Sequence, residues 1–127
     1  MSVLELIDRP QVADVGPISS GAAQTAARFF RGFGDPTRVR ILNILLTGER
    51  SVSELVGLLG APQGRVSSHL SCLRWCGFVE AERRGRNVYY TIADPRVQEL
   101  LQMADTLIAD AAKRVLSCQV LDGEDVI

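Results

Sequence analysis

The sequence predicts a mainly α-helical fold that carries one two-stranded β-hairpin. Three features of the 127-residue chain indicate this fold. Apolar residues recur at helical spacing over much of residues 19–76, which is typical of amphipathic helices. Over residues 78–92 the apolar spacing changes to every second residue, as in a strand. From about residue 95 to residue 116 the helical spacing returns.

The first two helices are placed by the residues that begin and end them. Ser19 or Ser20 is suited to cap a first helix, which runs to Arg31 and ends in a glycine-containing segment. Asp35 stands directly before a proline, and this pair is typical of an N-cap followed by the first helical position. A second helix is therefore predicted over residues 36–47.

The next two helices are separated by a tight turn. Ser51 and Glu54 have the spacing of a capping box, so a short third helix is predicted to begin there. The Gly-Ala-Pro segment at residues 60–62 predicts the turn. A fourth helix then follows over residues 63–76 and stops at Gly77.

A β-hairpin and a last helix complete the predicted fold. Alternating segments at residues 78–83 and 87–92 flank Arg84-Gly85-Arg86, which predicts a hairpin with a short basic tip. The last helix is predicted over residues 95–116. A short helix, a turn and another helix followed by a hairpin are typical of the winged helix-turn-helix, a DNA-binding fold.

Charge is distributed unevenly along the chain, although the net charge is only −1. Residues 21–96 hold eleven arginines and six acidic residues, a balance of +5, whereas residues 97–127 have a balance of −4. A basic middle between acidic ends is typical of a nucleic-acid-binding surface, and a solvated charged face is the alternative.

The length and composition indicate one domain with a core of ordinary size. We expect a loosely ordered segment at residues 1–18, a DNA-binding and dimerisation domain at 19–116, and a tail at 117–127 that supplies a metal ligand. No apolar run approaches the ~20 residues that cross a bilayer, and no signal peptide is recognised. We therefore expect a cytoplasmic protein with no membrane partner, in which the three cysteines are reduced.

Two of those cysteines have the spacing of a metal site. Cys72 and Cys76 lie four residues apart on the predicted fourth helix, so their side-chain roots share a face, roughly 5–6 Å apart. Two such thiolates can bind one soft ion, of which Cd(II), Pb(II), Hg(II) and Cu(I) are the best suited, and they also accept Zn(II). A third thiolate from Cys118 would complete a trigonal site. The alternative is that both helical cysteines are small apolar core residues.

The route from Cys118 to the other two thiols is left open. Cys118 follows a helix of about 20 residues, which is roughly 30 Å long, and therefore need not reach Cys72 of its own chain. In a symmetric dimer packed through the first and last helices, the tail of one subunit would cover the fourth helix of the other.

The predicted DNA contacts come from the fourth helix and the hairpin. Five residues at the start of the helix are candidate DNA contacts, four through polar side chains and the glycine through close approach of its backbone: Gln63, Gly64, Arg65, Ser67 and Ser68. The basic residues of the hairpin would lie along phosphates or in the minor groove: Arg83, Arg84 and Arg86. An ordinary capped helix and a solubilising turn are the alternatives. His69 can bind a phosphate, ligate a metal ion or satisfy a neighbouring backbone group, and we include it among the candidate DNA contacts.

Three segments taken together resemble the ArsR/SmtB family of metal-responsive bacterial repressors: Phe33–Leu42, Val66–Leu70 and Arg84–Tyr90. The resemblance covers about residues 21–116. Within the family, the segment from His69 to Gly77 is similar to that of the cadmium and lead sensors, which also carry a third cysteine in the tail. The family's other metal sites are missing, because the third helix has no Cys-x-Cys and the last helix has no histidine.

The resemblance implies a homodimeric repressor of double-stranded operator DNA. Such a protein binds a palindromic operator without metal and leaves it when Cd(II) or Pb(II), with Hg(II) close behind, binds Cys72, Cys76 and Cys118 of the partner subunit.

Two other functions are compatible with parts of this sequence. A thiol redox or persulfide sensor would keep the same fold, but a Cys72–Cys76 disulfide would distort a helix. A cysteine enzyme would use His69 as the base and Cys72 as the nucleophile, yet the sequence shows no third catalytic partner and no oxyanion site. We therefore predict a regulator and not an enzyme.

Overall fold

The structure is a computed structural model, described for residues 18–117 apart from the side chain of Lys113. Cys118 and the segments before residue 18 and after residue 117 lie outside the described residues, so the predicted domain boundaries stay predictions. The described residues form eight elements in the predicted order, with one added strand: α1 (Ser20–Arg31), α2 (Pro36–Leu46), β1 (Arg50–Ser51), α3 (Val52–Leu59), α4 (Gln63–Trp75), β2 (Val79–Arg84), β3 (Asn87–Ile92) and α5 (Arg96–Leu116).

The predicted helix caps are present in the structure. The Ser19 hydroxyl accepts a hydrogen bond from the backbone N–H of Ala22 at 3.2 Å, and so begins α1. Asp35 caps α2 by accepting from the N–H groups of Thr37 and Arg38 at 2.8 and 3.2 Å. These side chains satisfy donors that the first turn of a helix leaves without partners.

The capping box at the start of α3 is also confirmed. The Ser51 hydroxyl accepts from the N–H of Glu54 at 3.1 Å, and the Glu54 carboxylate accepts from the N–H of Ser51 at 3.1 Å. The helix ends at Gly60, whose φ of +64° is left-handed. Gly60 therefore turns the chain sharply towards α4.

The sheet contains one strand more than the sequence predicts. β2 and β3 form the expected antiparallel hairpin, and the two-residue β1 joins the other side of β3 through the pairing of Arg50 with Tyr90. The two-stranded hairpin is thus part of a three-stranded sheet of order β1-β3-β2. A two-residue strand is too short to show an alternating pattern in the sequence.

The hairpin tip is tighter than predicted. Arg84 pairs with Asn87 as part of the ladder, so only Gly85 and Arg86 form the turn. Gly85 has a φ of +63°, a conformation that glycine adopts without steric cost.

The core lies between the helices of the unit that ends at Ile92. Apolar side chains of α2, α3 and α4 are buried there together with the start of β2: Ile41, Leu42, Leu45, Leu55, Leu59, Val66, Leu70, Leu73, Phe78 and Val79. The buried residues of α4 occupy one stripe of the helix. The remaining faces of α4 are therefore free to carry other side chains.

Helix α5 belongs to a second unit that begins at Ala93. The Asp94 carboxylate accepts from the backbone N–H of Arg96 at 2.9 Å and pairs with its guanidinium at 2.6 Å. The hydrogen bonds from the Arg96 side chain and backbone lower the pKa of Asp94 to about 2. Several large apolar side chains of α5 are exposed: Met103, Leu107, Ile108, Val115 and Leu116. No helix within residues 18–117 is long and apolar enough to cross a membrane.

Candidate DNA interface and metal site

The first turn of α4 is open to solvent. Gln63, Gly64 and Arg65 are exposed, and the N-cap residue is Pro62, which makes no side-chain cap. The first N–H groups of the helix therefore have no capping side chain, and no acidic residue lies in this turn. Such a helix start attracts anions, including DNA phosphates.

Ser67 and Ser68 of α4 are placed differently. Ser68 is exposed, and its hydroxyl donates to the carbonyl of Gly64 at 3.0 Å, which leaves the oxygen lone pairs available as acceptors. Ser67 is half-buried. Of the five polar residues predicted at this helix start, four thus form an exposed surface and Ser67 lies at its margin.

His69 is turned towards α2 and away from the exposed surface. Its side chain is 16% exposed, and its Nε2 atom lies 3.8 Å from the Asp35 carboxylate. Its Nδ1 atom lies 3.3 Å from Nη1 of Arg38. Nδ1 can accept from the Arg38 guanidinium while Nε2–H is directed at the carboxylate, so the ring satisfies both neighbours. This geometry matches a structural role more closely than a DNA contact.

Arg38 joins three helices, a role that the sequence did not predict. Its guanidinium donates to the carbonyl of Gly32 at 3.0 Å and to that of Arg31 at 2.8 Å, which are the C-cap and the last residue of α1. It also contacts His69 of α4, while its own backbone lies in α2. The only sequence signal was its place beside the Asp35 N-cap.

The hairpin of β2 and β3, which is the wing of this fold, contains one arginine that is already paired. Arg84 makes a bidentate ion pair with Glu49, with both N–O distances 2.7 Å, and lies 4.7 Å over the ring of Tyr89. The hydrogen bond from Arg84 lowers the pKa of Glu49, and the same pair raises the pKa of Arg84. Bidentate pairing fixes the guanidinium in place.

Arg83 and Arg86 are the arginines of the wing that remain available. Both are exposed, and neither makes an ion pair with a described residue. Arg83 makes only a long hydrogen bond, 3.4 Å, to the carbonyl of Gly85. The hairpin therefore presents two uncommitted guanidinium groups at its tip.

Cys72 and Cys76 are free thiols on one face of the C-terminal half of α4. Both are half-buried, and Cys76 is the C-cap of the helix. Burial raises the pKa of the Cys76 thiol, and the adjacent Cys72 thiol raises it further, while the Arg38 guanidinium acts in the opposite direction. The two thiols are thus close together and accessible, as the spacing predicts.

The third predicted ligand, Cys118, lies outside the described residues. Within residues 18–117 no three side chains of His, Cys, Asp or Glu lie close enough together to hold a metal ion. The adjacent pair of sulfur atoms fits one soft cation, because thiolates are the ligands that such ions prefer. A complete site needs at least one more donor.

The chain around Cys76 is held firmly against α1. Gly77 has a left-handed φ of +80°, and the N–H of Phe78 donates to the carbonyl of Leu73 at 2.9 Å. The Phe78 ring packs against Phe29 and Phe33, with centroid distances of 4.9 and 4.4 Å. The end of α4 that carries the thiols is therefore fixed to the end of α1.

A shallow concavity lies beside the thiol pair. Ser71, Arg74 and Trp75 line it, and Trp75 is 89% exposed. Neither the DNA interface nor the thiol pair uses these side chains.

The fold is a winged helix-turn-helix, with an exposed helix start at the recognition position and a basic hairpin after it. The sequence profile of the bacterial regulatory proteins of the arsR family matches residues 35–81. The chain belongs to this family, whose members are DNA-binding transcription regulators, and it is not an enzyme.

Three relatives illustrate the similarity. The "Probable mercury resistance operon repressor" of Streptomyces lividans is 47% identical over 100 residues, which cover 79% of this chain and 80% of that protein. The transcriptional regulator CmtR of Mycobacterium tuberculosis is 40% identical over 104 residues, covering 79% and 86%. The homodimeric winged helix-turn-helix domain of Mb0332 from Mycobacterium bovis superposes with a TM-score of 0.64 at 31% identity, covering 76% of this chain and 91% of that domain.

Proposed function

We propose that this chain is a homodimeric repressor that binds double-stranded operator DNA in the absence of metal and leaves it when a thiophilic ion binds. The ion is Cd(II) or Pb(II), with Hg(II) close behind, and its ligands are Cys72, Cys76 and Cys118. The observation that carries the proposal is the pair of adjacent free thiols on the helix that presents the DNA-reading residues.

The DNA-binding mode follows from the exposed residues of α4. Gln63 and Arg65 lie in its open first turn and would enter the major groove, where both residue types can make bidentate contacts to base edges. Arg83 and Arg86 at the hairpin tip would contact phosphates. Two subunits related by a two-fold axis would read a palindromic operator.

Exposed apolar side chains on α1 and α5 support a dimer. Phe30 of α1 is 60% exposed, and α5 exposes a series of large apolar residues. Large apolar side chains of this kind are usually covered in a partner interface. The homodimeric state of the Mb0332 domain supports the same assembly for this chain.

The thiol pair supports a thiophilic inducing ion. Cys72 and Cys76 provide two soft donors on one helix face, and Cys118 is the third thiol of the chain. A set of three thiolates favours large thiophilic ions over Mg(II), Ca(II) or Mn(II). The names of the mercury operon repressor and CmtR relatives support a metal-responsive regulator.

Release would follow from the connection between the thiols and α1. Cys76 ends α4, and the next residues anchor that end to α1 through Phe78, while Arg38 holds α1 to His69. If α1 forms part of the dimer interface, drawing Cys118 to the end of α4 changes the position of the recognition helix relative to the two-fold axis. A coupling of about 1–3 kcal/mol, or about 5–150-fold in DNA affinity, is typical of such linked sites.

The test is a titration of the reduced protein with Cd(II), Pb(II) and Hg(II), followed by thiolate charge-transfer absorption. The proposal predicts a band that saturates at one ion per subunit, together with release of a DNA duplex chosen by in vitro selection. Release by oxidants or persulfides but not by any of the three ions would support a redox sensor and contradict the proposal.

A further inference from the structure

We propose that the shelf formed by Ser71, Arg74 and Trp75 is the docking site for the tail segment of residues 119–127, which arrives together with the Cys118 that completes the metal site. The inference rests on the proposed function, since ligation of Cys118 brings this segment to α4. It adds a second contact to the site: the residues after the third thiol bind the helix beside the metal.

The shelf has the features of a surface that is covered in one state of the protein. Trp75 is 89% exposed, although tryptophan is among the largest apolar side chains. Arg74 is exposed and has no carboxylate partner within residues 18–117. An exposed indole beside a guanidinium without a carboxylate partner suits a binding segment that carries both apolar and acidic side chains.

DNA does not explain this surface. The recognition helix enters the major groove by its N-terminal end, where Gln63 and Arg65 are exposed. Trp75 is the last residue of the same 13-residue helix. At ~1.5 Å per residue, the shelf is roughly 18 Å along the axis from the end that reads bases.

The segment after Cys118 has the complementary chemistry. Its sequence is Gln-Val-Leu-Asp-Gly-Glu-Asp-Val-Ile, with three acidic residues, four aliphatic residues and no basic residue. Asp122, Glu124 and Asp125 can pair with Arg74, and the aliphatic side chains can cover the Trp75 indole. The match is thus both electrostatic and apolar.

The positions of the residues along the chain make simultaneous binding possible. Ser71 directly precedes Cys72, and Trp75 directly precedes Cys76, so the shelf lies one residue from each thiol. A metal that joins Cys118 to this pair places residue 119 at the edge of the shelf. Nine residues reach up to ~30 Å when extended, well beyond the length of one helical turn.

Trp75 is the only tryptophan of the chain, so its fluorescence reports the shelf directly. The experiment measures acrylamide quenching and the emission maximum of the full-length dimer before and after one Cd(II) per subunit. The same measurement on a variant that lacks residues 119–127 but keeps Cys118 gives the direct effect of the metal on the indole.

The proposal predicts that Cd(II) lowers the quenching constant and shifts the emission to the blue in the full chain only. In the deletion variant the thiolate band still forms, but quenching is unchanged and Cd(II) binds about tenfold more weakly in competition with a chelator. Trp75→Ala should weaken Cd(II) binding to a similar degree, because it removes the indole on which the tail docks and leaves all three thiols in place.

Charge is tested by a matched pair of triple variants. The first variant neutralises the tail and should reduce the protection of Trp75 by Cd(II): Asp122→Asn/Glu124→Gln/Asp125→Asn. The second removes the same number of charges from the other terminal segment and should leave that protection unchanged: Glu5→Gln/Asp8→Asn/Asp14→Asn.

Two outcomes would overturn the inference, and they differ from failure of the proposed function. A normal thiolate band with unchanged Trp75 quenching means that the segment does not dock, although the metal site stands. An indole that is already protected without metal, equally in the deletion variant, means that another part of the dimer covers the shelf. Absence of the thiolate band itself would contradict both proposals.

Discussion

The guanidinium of Arg38 lies 3.3 Å from Nδ1 of His69 and donates at the same time to the carbonyls of Arg31 and Gly32 at the end of α1. One side chain of α2 thus connects the end of the first helix to the middle of the recognition helix. Its positive charge also lowers the pKa of Cys76 relative to what burial alone would give. Arg38 is therefore placed between the thiol pair and the helix that we assign to the dimer interface.

This arrangement predicts that Arg38 carries part of the coupling between metal and DNA. Arg38→Ala removes the link to His69 and the caps on α1, at a cost of about 1–3 kcal/mol in stability. The DNA affinity of the metal-free protein divided by that of the Cd(II)-bound protein should fall towards one. The thiolate charge-transfer band of bound Cd(II) should be retained. Both quantities are measured by DNA-binding anisotropy and absorption.

Arg40→Ala is the matched control, because Arg40 is exposed on the same helix and makes no ion pair with a described residue. An unchanged affinity ratio in Arg38→Ala would show that the coupling bypasses this junction.

The wing is predicted to act through Arg83 and Arg86 more than through Arg84. Alanine at either of the first two should weaken binding to all sequences alike and lower the slope of log K against log[salt] by about one. Arg84→Ala should change the slope less, because Glu49 already neutralises that guanidinium. Glu49→Gln frees Arg84 and should raise the slope.

Arg65→Ala provides the contrast for the wing variants. Arg65 is exposed in the first turn of α4, and its loss should relax base preference at particular operator positions by about 1–3 kcal/mol. If Arg86→Ala altered base preference and left the salt slope unchanged, the assignment of the wing to phosphates would be wrong.

The N-cap at Asp35 gives a prediction for stability. Asp35→Ala should lower the free energy of unfolding by about 1 kcal/mol at fixed protein concentration, whereas Asp35→Asn retains a capping oxygen and should lose less. The measurement is urea denaturation at neutral pH. Equal losses in the two variants would show that the carboxylate acts through His69 and Arg38 instead of through the cap.

The same residue gives the sign of a pH effect. Burial raises the pKa of Asp35, but hydrogen bonds from the Arg38 and Thr37 N–H groups and the nearby positive charges lower it below 3.8. A carboxyl with a depressed pKa stabilises the fold above its ordinary pKa, and this contribution is lost as the pH falls through the depressed value. Asp35→Asn should lack that component of acid destabilisation.

Local signals explain what could be predicted from the sequence. The caps at Ser19, Asp35 and Ser51 depend on residues two or three positions away, so their spacing is visible in the chain. The helix face shared by Cys72 and Cys76 is local in the same way. The positions of these caps and the shared helix face of the two cysteines were therefore predicted correctly.

The features that the sequence did not predict depend on contacts between distant residues. The Arg84–Glu49 pair joins residues 35 positions apart, and the Arg38–His69 contact joins residues 31 positions apart. Strand β1 exists only because β3 lies beside it. The position of His69 against α2 likewise follows from packing, which periodicity does not describe.

The sharing of the metal site between subunits has its own test. One homodimer carries Cys118→Ser, and a second carries Cys72→Ser together with Cys76→Ser. After subunit exchange, a site shared between chains should be restored once per heterodimer, because an intact tail then meets an intact helix. Tight binding of one Cd(II) per heterodimer supports the shared site, whereas no tight binding indicates closure within one chain or a two-cysteine site.

The metal response is tested most directly by the release of operator DNA by Cd(II) from the wild-type protein and from Cys76→Ser, followed by fluorescence anisotropy. Both proteins should bind the duplex equally well without metal, Cd(II) should release the wild type, and the serine variant should stay bound at the same metal concentrations. Release of the Cys76→Ser complex at wild-type Cd(II) concentrations would contradict the proposed metal response.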